Sequence, residues 1–356
     1  MVAGGVLQEQ SRVPVTAPRK IAMTPERAAL LHELVSAPLL ADDSLDVPGI
    51  LWCEHLNLRV GASEAADRFF KLLGFVREPG RSYHFNLGSQ QVHLESVSDS
   101  EAHVLTGSVG LAVSHETLNA LRGLLGYGGT QFAVTEVGET TLAVTCPWGS
   151  TYLLRAAEIS EGYAAARSSS DNVPRMAAFH DGLDEGSSVR SIGMEGIRFV
   201  EYRCRPNTAQ RIGLFYEEVF GCKVTYTAVK GPAQAATVLV GPSVHFVFHE
   251  VYDQPLTDEE ERRQAGSEGT GLHVAIYIAS FKKAYERLKQ LDLIWTNPRF
   301  AHLDRCDTWE EAHASRQFRF RKIVDLETRE VLLELEHEVR AVRHFQYMKR
   351  THWPAA

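Results

Sequence analysis

Apolar and polar residues alternate with a period of two over residues 51–60, where Leu56, Leu58 and Val60 fall on one side of the chain and His55, Asn57 and Arg59 on the other. That is the pattern of a half-buried strand. The apolar spacing then lengthens to a helical one over 63–73 and stops at Gly74, a residue suited to the left-handed turn that ends helices. Short strands are predicted at 75–76, 83–87 and 91–95, separated by Pro79-Gly80 and Gly88-Ser89.

This order of strand, helix and three strands recurs. The second copy has strands at 109–113, 131–134, 140–145 and 151–155 with a helix at 115–125. The third has strands at 197–205, 223–227, 236–240 and 244–250 with a helix at 208–220 ending on Gly221. The fourth has strands at 272–278, 293–295, 317–324 and 331–336 with a helix at 281–291. A repeated unit outweighs any single motif. One such unit cannot bury both faces of its own sheet, so the expected fold is α+β, with four βαβββ modules paired into two domains whose curved mixed sheets surround cavities. Pairing in chain order gives an N-terminal domain over 47–157 and a C-terminal domain over 192–340. The Ser-, Gly- and Asp-rich stretch 158–191 is the linker between them. Residues 1–46 are expected to be a tail with a short helix at 24–36, started by Thr24-Pro25-Glu26, and 341–356 a second tail.

Composition narrows the classes of function. The 356 residues are 44% hydrophobic and 23% charged, as in a globular protein, and the net charge of -8 without a basic stripe argues against nucleic acid as a partner. No apolar run is long enough to cross a bilayer, so no membrane partner is expected. Five scattered cysteines without a CxxC pair read as reduced thiols of a cytoplasmic protein. A weak organelle-targeting peptide is the alternative reading of residues 1–20. No serine elbow, phosphate-binding glycine loop or dinucleotide fingerprint appears; "GYGGT" at 126–130 follows a helix rather than opening one.

The repeat, together with "EHLNLRV" and "FFKLLGF" in unit one, "FYEEVFG" in unit three, and "GLHVAIYI" and "DLETREVLLELE" in unit four, resembles the vicinal oxygen chelate superfamily over most of residues 50–338. That superfamily includes glyoxalase I, extradiol ring-cleaving dioxygenases and bleomycin-resistance proteins. The resemblance implies glyoxalase-like domains with a metal held by the first and last strands of paired units. By position, unit one offers His55 with Glu95 and His93; unit two offers only Ser108 and Arg155; unit three offers Glu201 with His245 and His249; unit four offers His273 with Glu334 and Glu336. Residues two apart on a strand share a face. His245 with His249, and Glu334 with Glu336, therefore point together, and the site is expected in the C-terminal domain.

The implied metal ligands are His273, Glu334, Glu201, His249 and His245, holding a divalent ion (Fe, Zn, Mn or Ni). Glu334 or Glu201 would carry the proton. Arg203, Arg205, Arg319, Arg321 and Tyr277 would contact substrate, the arginines clamping a carboxylate or phosphate unless they form salt bridges. The polar insertion at 298–315, with His302, Asp304, Arg305, Asp307, Trp309 and His313, is read as a pocket lid. The expected function is a metal-dependent lyase, isomerase or dioxygenase acting on a small molecule with neighbouring oxygens; a homodimer is left open. The alternative is metal-free sequestration of a small molecule, with Trp52, Tyr202, Phe248, Tyr277 and Trp295 as walls.

Overall fold

The computed structural model describes residues 47–156 and 196–345, except 79, 82, 89, 127–131, 139, 230, 242–243 and 267–271. The helix expected at 24–36, the linker at 158–191 and the "GYGGT" turn, apart from Gly126, lie outside the described residues, as does the C-terminal tail beyond 345. Unit one comprises β1 (Ile50–Val60), α1 (Ser63–Leu72), β2 (Val76–Arg77), β3 (His84–Leu87) and β4 (Gln90–Ser96). Unit two comprises β5 (Ser108–Val113), α2 (His115–Arg122), β6 (Ala133–Gly138), β7 (Thr141–Thr145) and β8 (Thr151–Ala156). Unit three comprises β9 (Gly196–Cys204), α3 (Ala209–Phe220), β10 (Val224–Ala228), β11 (Gln234–Gly241) and β12 (Val244–Glu250). After α4 (Asp258–Ala265), unit four comprises β13 (His273–Ile278), α5 (Phe281–Gln290), α6 (Trp309–Ser315), β14 (Gln317–Val324) and β15 (Val331–Ala341).

The fold is α+β, with two curved, unclosed mixed sheets. Their strand orders are β14-β15-β13-β1-β4-β3-β2 and β10-β11-β12-β9-β5-β8-β7-β6. The units therefore pair one with four and two with three, which corrects the expected pairing of one with two and three with four. The joints are antiparallel ladders between first strands, β1 with β13 and β5 with β9. Backbone hydrogen bonding is indifferent to side-chain identity, so the sequence repeat identifies units but not which first strands meet.

Two departures in unit four matter for the site. The strand expected at 293–295 shrinks to a single bridge between Ile294 and Phe320, and the chain between it and β14 carries α6 instead. β15 runs to Ala341, five residues past the expected end at 336, so its alternation continues through Glu338 and Arg340.

The two sheets meet through α3, which contacts β11 and β12 on one side and β14 and β15 on the other. The helix ends at Gly221 with φ 72°, and a Cβ there would lie 2.8 Å from Pro48. Phe215, Tyr216 and Phe220 fill the gap against Phe246, Phe248 and Phe320. In this core sits His337, fully buried and stacked on Phe320 with ring centroids 4.2 Å apart. Its Nδ1 donates to the Leu335 carbonyl at 2.7 Å and its Nε2 accepts from the Tyr216 hydroxyl at 2.8 Å.

Burial pushes His337 down from the ordinary 6.5 to about 3, so it is a neutral core residue. A base depressed in the fold gives stability that is complete above its unfolded value and is lost as pH falls toward its folded value. Stability is therefore expected to decline between pH 6.5 and 3, with His337 contributing up to about 1.4 kcal/mol per pH unit. His337→Phe is expected to be less stable at pH 7.5 by about 1–3 kcal/mol, because Tyr216 loses its partner, and to show a shallower acid decline. Urea unfolding at pH 7.5 and 5 checks both; parallel declines in the two proteins would refute the assignment.

Candidate metal centre

The side chains of His55, His273 and Glu338 converge on one face of the sheet built from units one and four. Their ligand atoms all lie within 4.8 Å of one another, and all three residues are buried. His55 Nε2 is 3.1 Å from His273 Nε2, which is 3.0 Å from Glu338 Oε2. The ladder places His273 opposite Asn57 on β1, and β15 runs parallel to β13 with Glu338 beside Ala275. Each first strand thus supplies one imidazole and the last strand supplies the carboxylate.

A bulge shapes the environment of His55. The β1–β13 register slips between Cys53 and His55, so Glu54 does not alternate to the opposite face as strict pleating requires. Its carboxylate instead lies beside its neighbour, accepting from His55 Nδ1 at 3.0 Å, from Arg340 Nη1 at 2.6 Å and from the Tyr277 hydroxyl at 3.3 Å. That bond places the His55 proton on Nδ1 and leaves the Nε2 lone pair facing His273 and Glu338.

Glu338 is held by two buried guanidiniums. Arg319 Nη2 donates to its Oε2 at 2.6 Å, and Arg340 Nη2 pairs with its Oε1. Burial pushes the Glu338 carboxyl up, but Arg340, Arg319 and His273 outweigh it and hold it well below the usual carboxylate range. Arg319 also binds Asp304 at 2.9 Å and Glu336 at 2.8 Å, while Asn297 Nδ2 donates to both Glu336 oxygens at 3.0 Å. Beyond His55, the rings of His93 and then His84 stack at centroid spacings of 3.8 Å, and His84 Nδ1 meets Glu78 at 2.9 Å.

This donor set fits a divalent cation. The His55 Nε2 lone pair, His273 Nε2 and a Glu338 oxygen converge on one point, where a cation would satisfy all three. Four carboxyl groups, those of Glu54, Asp304, Glu336 and Glu338, gather around only two guanidiniums, those of Arg319 and Arg340. Buried charge without a partner is costly. A narrow pocket lined by Leu56, Asn57, Leu58, Tyr202 and Leu272 reaches His273, with free space of about 10 Å³, the room of one water molecule.

Of the residues named from the sequence, the structure brings His273 into the cluster, together with His55, whose position in unit one had been noted. This cluster therefore bridges the first and fourth units, whereas the site had been expected in the C-terminal domain. Glu334 lies elsewhere, its side chain about a third exposed and 2.8 Å from Arg321 Nη2, which also donates to the Gly266 carbonyl. Glu201 and His249 are on the other sheet, where His249 Nδ1 donates to Glu201 at 3.0 Å and Ser108 donates from both N and Oγ. His245, on the same strand as His249, is pushed down by burial and bonds to the backbone of Arg198. Among the supposed substrate contacts, Arg205 pairs with Glu261, Arg203 is exposed, and Arg319 and Tyr277 are buried in the network around Glu338 and Glu54. Glu95 pairs with Arg299. Glu54, Glu338 and Arg340 had not been singled out. The charged alternation Glu334, Glu336, Glu338, Arg340 was the signal for two of them; nothing in the spacing signalled the bulge at Glu54.

No protein-family model and no curated protein matches the chain. Among solved structures, it is similar to glyoxalase I from Zea mays, with 15% identity, 83% of this chain and 92% of that chain covered, and a TM-score of 0.44. It is similar to a putative dioxygenase from Bacillus subtilis subsp. subtilis str. 168, with 12% identity, 85% and 88% covered, and a TM-score of 0.48. A third is the 2,3-dioxygenase LapB from Pseudomonas sp. KL28, with 15% identity, 83% and 93% covered, and a TM-score of 0.24.

Proposed function

We propose that this protein is a metal-dependent enzyme of the vicinal oxygen chelate type, acting on a small organic molecule with two neighbouring oxygens at the junction of units one and four. The observation that carries the reading is the convergence of two imidazole nitrogens and one carboxylate oxygen in a buried setting. His55, His273 and Glu338 would hold the ion. Such a set with open positions suits Fe(II), Zn, Mn or Ni. The bound ion would supply Lewis acidity toward the substrate oxygens.

The surrounding residues serve order and exclusion. Glu54 fixes the His55 tautomer and is itself anchored by Arg340 and Tyr277. Arg340 and Arg319 hold opposite oxygens of Glu338, which keeps that carboxylate ionised and in place. Phe300 stands edge-on to His273, with ring centroids 6.1 Å apart, and helps keep water from it. Lyase, isomerase and dioxygenase chemistry are all consistent with this arrangement. Protein purified without chelator is expected to carry close to one equivalent of a divalent transition metal by elemental analysis. Less than about a tenth of an equivalent, with no uptake on adding Zn, Mn, Ni or Fe(II) anaerobically, would sink the reading.

A further inference from the structure

The segment between the Ile294 bridge and β14 belongs to no repeated strand, yet it packs three of its residues around the site. Asn297, fully buried, clamps Glu336; Phe300 faces His273; and the Arg319 guanidinium lies 4.6 Å over the Phe300 ring. Asp304 Oδ2 accepts from Arg319 Nε at 3.2 Å and Nη2 at 2.9 Å, and also from Gln317. The decisive atom is Arg319 Nη2. It donates at once to Asp304 and to Glu338 Oε2, the same oxygen that lies 3.0 Å from His273 Nε2. The other Asp304 oxygen, Oδ1, is buried with no hydrogen-bond partner among the described residues.

We propose that Asp304 and Arg319 form a clasp tying the insert at 297–316 to Glu338, so that cation occupancy of the cluster and seating of the insert are coupled. Both are positioning residues acting through Glu338. The inference rests on the functional reading above and adds a strap to it. Its physical basis is charge. Asp304 and Glu338 share one guanidinium nitrogen and repel each other in a cluster where four carboxyl groups meet only two arginines. A cation on Glu338 relieves that repulsion and tightens the seat of Asp304. Linkage then requires the seated Asp304 to raise the cation affinity by the same factor.

The test uses the full chain with zinc as the probe, titrated against a chromophoric chelator, while amide hydrogen exchange is followed over 297–308. Asp304→Asn is expected to lower zinc affinity about tenfold, the lower end of the range for partners behind a ligand, and Asp304→Glu to recover most of it. In the unaltered protein zinc slows exchange across the insert; in Asp304→Asn it does not. A role confined to stability would leave that zinc-dependent difference intact in the variant. Equal affinities in the unaltered protein and Asp304→Asn, or exchange at the insert indifferent to zinc, overturns the clasp alone. A protein that takes up no zinc and no other divalent metal overturns the functional reading as well.

Discussion

Glu338→Gln is expected to lower divalent-cation affinity by about a hundredfold or more, while Glu334→Gln leaves it within about a factor of two. A structural site worth about 10–16 kcal/mol over four ligands assigns roughly 2.5–4 kcal/mol to each, and every 1.4 kcal/mol is tenfold. Glutamine preserves shape and one acceptor oxygen but removes the charge that faces His273. Glu334, on the same face of β15, is two pleat repeats away and lies against Arg321 with about a third of its side chain in water. His55→Ala is expected to lose as much as Glu338→Gln, although the two residues stand near opposite ends of the described chain. Glu201→Gln, on the other sheet, is expected to lose nothing. Chelator competition and elemental analysis of the four variants decide the matter. Equal losses in the Glu334 and Glu338 variants would move the site back to the start of β15.

The second large effect is on stability. Arg340 is buried and bonds Glu54, Glu338, Gln317 and Tyr277. Arg340→Met fills similar space but strands two buried carboxylates, and removing one partner of a buried ion pair costs about 3–5 kcal/mol. Glu338 carries the pH dependence. Burial raises its carboxyl, yet the two arginines and His273 leave it well below the usual range. A depressed carboxyl gives stability that is complete above its unfolded value and disappears as pH falls toward the folded one. The gap between the unaltered protein and Arg340→Met should thus be widest near neutrality and shrink in acid below about pH 4, near the ordinary carboxylate value. Urea unfolding across that range measures it. A neutral-pH difference below about 1 kcal/mol, the scale of an exposed pair, would show the network to be solvated.

The repeat of strand, helix and three strands was legible because each element left its own period in the chain, and β13 and α5 lie within a residue of their predicted bounds. His273 was legible for the same reason, as an imidazole opening an apolar strand. The rest of the cluster was hidden in three different ways. His55 was visible but placed with the wrong neighbours. Glu338 lay past the assumed end of β15, though the alternation continued. Glu54 was invisible, because a bulge breaks the period on which facing arguments depend.

By itself, then, the chain's pattern determined four units, their strand faces and an insert too long to be a plain turn, since side-chain periodicity is local and written residue by residue. Which units share a sheet was decided only in three dimensions, where β1 meets β13 through backbone hydrogen bonds that carry no residue code. That one antiparallel joint sets His55 beside His273, and the parallel course of β15 brings Glu338 to them.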